Sequence, residues 1–78
     1  MKYRIKVYNT SGEVIMYRPF EDKSEWDAYW TELTEKQTNL LVFAGQGMIT
    51  MSKEYLTPAY NWEAEIVLPI LISSEAIQ

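Results

Sequence analysis

The stretch Ser24 to Gln37, S-E-W-D-A-Y-W-T-E-L-T-E-K-Q, decides how the rest of the chain is read. Its large apolar residues, Trp26, Tyr29, Trp30 and Leu33, recur at i, i+3, i+4 and i+7 and so share one stripe of an amphipathic helix. Ser24 is the expected N-cap, with Asp27 three residues on completing an imperfect capping box. Glu25 and Asp27 in the first turn and Lys36 in the last suit the helix dipole, and Glu32 to Lys36 is a favourably oriented i,i+4 pair. Asn39 can supply a left-handed stop.

Strand patterns flank this helix. Upstream, Lys2 to Asn9 alternates Lys and Arg with Tyr3, Ile5 and Val7, the period of a half-buried strand. Asn9-Thr10-Ser11-Gly12 suits a type I turn closed by a glycine in the left-handed conformation, leading into a strand from Glu13 to Arg18 that Pro19 ends. In that register Asn9 opposes Glu13, Ile5 and Val7 share a face with Tyr17 and Ile15, and Tyr8, Val14 and Met16 occupy the other face. A slip of one residue would exchange the two sets.

Downstream, Leu40 to Ala44 is apolar without alternation, as expected of a central strand covered on both faces. Gly45-Gln46-Gly47 makes a turn, Met48 to Tyr55 reads as the antiparallel partner, and Pro58 to Asn61 as a loop. The last strand runs from Trp62 to about Ile72, with Pro69 marking an edge strand or a bulge. The expected fold is α+β, a small two-layer sandwich of a mainly antiparallel sheet and one helix in the order ββαβββ. Residues 1–72 form the expected single domain, and 73–78 a flexible tail.

Composition narrows the chemistry. The 78 residues contain no Cys and no His, which removes thiol chemistry, the usual general base and the commonest metal ligands. Gly45-x-Gly47 lacks the third glycine and the following helix of a dinucleotide-binding loop. Glu63 and Glu65 project from one face of a strand, but nothing near them in sequence would raise a carboxyl pKa for acid–base work. No catalytic, cofactor-binding or metal-binding residue is expected, and the chain reads as non-enzymatic.

Net charge is −4, unevenly spread. Residues 1–18 carry Lys2, Arg4, Lys6 and Arg18 against Glu13, whereas residues 19–38 carry two lysines against six acids. Met1 to Lys6 lacks the apolar core of a signal peptide, and the longest apolar run, Ile66 to Ile72, is too short to span a bilayer, so a cytoplasmic protein without a membrane partner is expected.

Two surfaces remain as candidates for recognition. The outward helix face, with Glu25, Asp27, Glu32 and Glu35, would attract a larger protein with a basic surface. The apolar sheet surface, with Tyr8, Val14 and Met16 near Ile66 to Ile72, would suit a partner or a second copy in a homodimer. The alternatives are single-stranded nucleic acid on the basic, tyrosine-bearing N-terminal hairpin, against which the acidic net charge weighs, and a small ligand between helix and sheet. In size, acidity and lack of cysteine the chain resembles phage-encoded inhibitors of host or defence proteins and immunity proteins paired with toxins. That resemblance is one of composition and implies binding and inhibition, or modulation, of a larger protein.

Overall fold

The computed structural model describes residues 2–36, 40 and 42–72. Strands β1 (Tyr3–Tyr8) and β2 (Val14–Phe20) precede helix α1 (Lys23–Glu35), and β3 (Met48–Leu56) and β4 (Trp62–Leu71) follow it. The strands form one open antiparallel sheet in the order β2-β1-β3-β4, and α1 lies on one face of it over β1 and β2. This is the expected α+β two-layer arrangement. Among the described residues no helix is long and apolar enough to cross a membrane. The helix ends at Glu35 with Lys36 as an extended C-cap, so Lys36 is not in the last turn and the stop comes before Asn39; Asn39 itself and the expected tail from Ser73 to Gln78 lie outside the described residues.

The core sits between the helix and the sheet. Trp26, Trp30 and Leu33 of α1 are buried against Ile5 and Val7 of β1 and Ile49 and Met51 of β3, while Tyr29 is half-buried at the margin. Trp26 does most to fix the helix. Its indole N–H donates to the Arg4 carbonyl at 3.1 Å, and its ring lies 4.7 Å from that of Tyr3. The cap differs from expectation: it lies two residues earlier, at Asp22, which is extended and accepts from the Ser24 N–H at 3.1 Å. Asp27 does not close a capping box, because its carboxylate is drawn to the sheet.

One expected strand is not a strand. Leu40, Val42 and Phe43 adopt 3₁₀ conformation. Leu40 and Phe43, three residues apart, both point into the core, while Val42 between them is 78% exposed. A 3₁₀ turn eclipses i and i+3, so this segment caps one end of the core instead of entering the sheet. The described residues therefore form four strands in the order ββαββ.

The two outer strands each carry an irregularity. The first hairpin turns as expected, with the Asn9 N–H donating to Glu13 O at 3.0 Å and Gly12 at φ 81°. Tyr8 then faces Val14, but Val7 faces Met16, so Ile15 is an extra residue in β2. That bulge turns Met16 and Arg18 to the helix side and Tyr17 to the open side, reversing the expected faces. In β4, Lys53 faces Ile66 while Glu54 faces Ala64, leaving Glu65 as the extra residue. Pro19 does not end β2, which runs on to Phe20; like Pro69 it sits in an edge strand, where the missing N–H breaks no ladder bond.

Candidate protein-interaction surfaces

Lys53 and Glu54 are adjacent in a buried strand, and alternation sends them to opposite faces of the sheet. Lys53, 5% exposed, lies under the helix. Its ammonium bonds Asp27 Oδ1 at 2.6 Å and Glu65 Oε2 at 3.0 Å and stands 4.3 Å over the Trp26 ring. Burial works to lower its pKa, but the two carboxylates outweigh burial and hold it above its usual value. The bulge in β4 aims Glu65 at this ammonium. Asp27 is held below the usual carboxylate range by its bonds to Lys53 and, at 3.1 Å, to Lys23.

Glu54, 9% exposed, lies on the open face. Its carboxylate accepts from Arg4 Nε at 2.6 Å and from the Ser52 hydroxyl at 2.7 Å, while the Arg4 guanidinium rests 3.9 Å over the Trp62 ring. Burial pushes its pKa up, yet the Ser52 and Arg4 bonds together bring it below the ordinary value. Glu63 and Glu65 do share a face, as their spacing implies, and both are bonded there: Glu63 accepts from the Tyr55 hydroxyl at 3.0 Å, which raises the Tyr55 pKa.

The expected acidic surface is thus divided. Glu25, Glu32 and Glu35 are exposed on the outer face of α1, with Glu32 3.9 Å from Lys36 as the i,i+4 spacing implied. Asp27 is tied to the sheet. The expected apolar surface is divided as well. Tyr8 and Val14 are cross-strand partners on the open face, whereas Met16 lies on the helix side, its sulfur accepting the Tyr29 hydroxyl at 3.8 Å. The open face gains Tyr17, Val67 and Leu71 beside Lys6, and no described element packs over it. Tyr60 was missed by sequence reasoning; it is 83% exposed at the β3–β4 hairpin, with φ 62°.

Beside the helix runs a groove of about 530 Å³ between α1, β2 and the 3₁₀ turn, lined by Ile15, Met16, Leu33, Val42 and Phe43 together with the polar Glu32 and Gln46. Among the described residues no group of three or more acids is placed to hold a metal ion. Comparison with protein families, curated proteins and solved structures found no match to this chain.

Proposed function

We propose that this is a non-enzymatic interaction module of the cytoplasm that binds a larger protein with a basic surface and inhibits or modulates it. One observation carries the reading: the helix side of the molecule carries an excess of acids, although Arg18, over the Tyr29 ring, and the buried Lys53 also lie on that side. The helix and its lead-in, Glu21 to Lys36, hold six acids and two lysines, with Glu25, Glu32 and Glu35 exposed on the outside. Arg4 and Lys6 point the opposite way, onto the open sheet face. A surface so polarised orients a cationic partner toward the helix before contact, an effect screened over roughly a Debye length of ~8–10 Å.

The test is capture from the native or host cytoplasm with a Glu25→Lys, Glu32→Lys, Glu35→Lys variant as control, with light scattering for stoichiometry. Asp27 is left in place because its loss would release Lys53. The wild type should retain a partner that the variant does not, at an unchanged urea midpoint. Equal capture by both proteins would assign the acidic face to solubility alone.

A second reading has its own observation. Lys6 on the open face stands beside Tyr8 and Tyr17, a cation between aromatic rings that suits stacked bases of a single strand. Retention of an oligonucleotide at about 50 mM salt, lost in Lys6→Glu, would support it; no retention at that salt removes it.

A further inference from the structure

We infer that the groove between α1, β2 and the 3₁₀ turn receives an apolar side chain from a basic segment of the partner. The inference rests on the acidic-helix reading and adds to it what sits beside the charges. Ile15, Met16, Leu33 and Phe43 form the walls, and Val42 forms the lip. Leu33 and Phe43 are buried core residues, whereas Val42 is 78% exposed.

The lining is mixed: the exposed side chains Glu32 and Gln46 stand beside the apolar ones. Tyr29 is the nearest hydroxyl, and its hydrogen is already directed at the Met16 sulfur, 3.8 Å away. The volume of about 530 Å³ falls within the range of pockets that bury a compact ligand, and accommodates one large side chain with its flanking backbone. Such an anchor in a desolvated recess, ringed by polar contacts, is the usual distribution of binding energy in an interface.

Charge selects the kind of segment. Glu32 lines the groove and also stands in the outward acidic row, so the recess and the acidic face form one continuous surface. With Glu25 one stripe-length before it and Glu35 one turn after, a guest in the groove has carboxylates along its helix flank, while on the β2 side the Arg18 guanidinium is held 4.7 Å over the Tyr29 ring. The complementary guest is therefore a large apolar residue between arginines or lysines. An acidic guest would meet like charge, and a purely polar basic guest would leave the recess wet.

Three end-blocked five-residue peptides test this in nuclear magnetic resonance titrations at low salt. One has a central phenylalanine between pairs of basic residues. The second replaces the phenylalanine with serine, and the third keeps it between pairs of acids. The basic phenylalanine peptide should bind at least about tenfold tighter than the serine one, the difference that burying such a ring supplies. It should shift the Ile15, Leu33 and Val42 methyls. Val42→Gln, at a 78% exposed site, should reduce that preference to less than about threefold with the urea midpoint unchanged.

Glu25→Gln with Glu35→Gln should weaken both basic peptides by one common factor and leave the preference intact. Equal binding of the phenylalanine and serine peptides, both weakened by the glutamine substitutions, overturns the groove and leaves the acidic-helix reading standing. Equal binding of the basic and acidic phenylalanine peptides overturns the basic guest and the helix reading with it. No binding of either basic peptide overturns both.

Discussion

Lys53 and Glu54 are consecutive, oppositely charged and almost equally buried, yet the regions around them are built for different ends. Under the helix, the Lys53 ammonium lies between two carboxylates, Asp27 from α1, which also bonds Lys23, and Glu65 from β4. It links three elements. On the open face, Glu54 links only β1 and its own strand, through Arg4 and Ser52, and its cover is the Trp62 ring over the guanidinium. The contrast teaches where burial comes from. Lys53 is buried because a helix lies over it; Glu54 is buried because its own network closes over it, while no described element covers the rest of that face.

The largest way to break the contrast is to remove the cover on one side. Trp26→Ala deletes the ring that Lys53 stands on, the bond to the Arg4 carbonyl and the contact with Tyr3. A loss of about 3–5 kcal/mol in urea unfolding is expected, by the cavity left in place of a buried indole. A loss below about 1 kcal/mol would mean that the helix does not hold the sheet through this residue.

Next come the charges themselves, where the partners' exposure decides the outcome. Glu54→Leu strands Arg4, whose side chain is only 16% exposed, and should cost about 2–4 kcal/mol. Lys53→Met keeps the buried stem, and the carboxylates it abandons, Asp27 and Glu65, are 41% and 45% exposed and return to water. That change should cost less than about 1.5 kcal/mol. Chemical denaturation of the two variants side by side settles it: a greater loss for Lys53→Met would reverse the proposed asymmetry.

Acid and alkali sharpen the same comparison without changing volume. Asp27 and Glu54 both have depressed pKa values, so their contributions are complete above the ordinary carboxylate range and vanish as pH falls through the depressed values, below about pH 4. The Lys53 pKa is raised, so its contribution is complete below its unfolded value and vanishes as pH climbs past about 10. Tyr55 is raised too and falls in the same alkaline window, so Tyr55→Phe is the proper background. In that background Lys53→Met should flatten the alkaline loss and part of the acid loss. Glu54→Gln should flatten only the acid side. Urea midpoints across the pH range report both.

These networks also mark the limit of what the sequence shows. The helix stripe, the Asn9 to Gly12 turn and the edge placement implied by Pro69 follow from local spacing and backbone chemistry, and all three appear in the structure. The faces of β2 do not, because one extra residue at Ile15 reverses the alternation, and no glycine or proline at that position announces it. The bulge at Glu65 is hidden in the same way. Leu40 to Ala44 misled for another reason: an unbroken apolar run fits a covered strand, but its decisive signal is the three-residue spacing of Leu40 and Phe43. The acidic row was legible except at Asp27, whose role depends on a lysine 26 positions later in the chain. The groove could not be seen at all without the 3₁₀ turn that forms its lip.

The smallest effect concerns how Trp62 comes to lie over Arg4. The β3–β4 hairpin bends through Thr57 to Asn61, where the Tyr60 N–H donates to Thr57 O and the Thr57 N–H to Asn61 O. This places Tyr60 in the left-handed region at φ 62°, where an L side chain costs about 1 kcal/mol or more. Its ring, 83% exposed, recovers nothing by packing. Glycine adopts this conformation without strain but loses more entropy on folding, so Tyr60→Gly should stabilise by about 0.5 kcal/mol, a Tm gain of roughly 2–4 °C. Trp62, two residues on, should keep its place, read as an unchanged difference between wild type and Glu54→Leu in either background. If Tyr60→Gly destabilises instead, the ring has a supporting role at this hairpin, and the burial of Glu54 depends on the loop as well as on its own bonds.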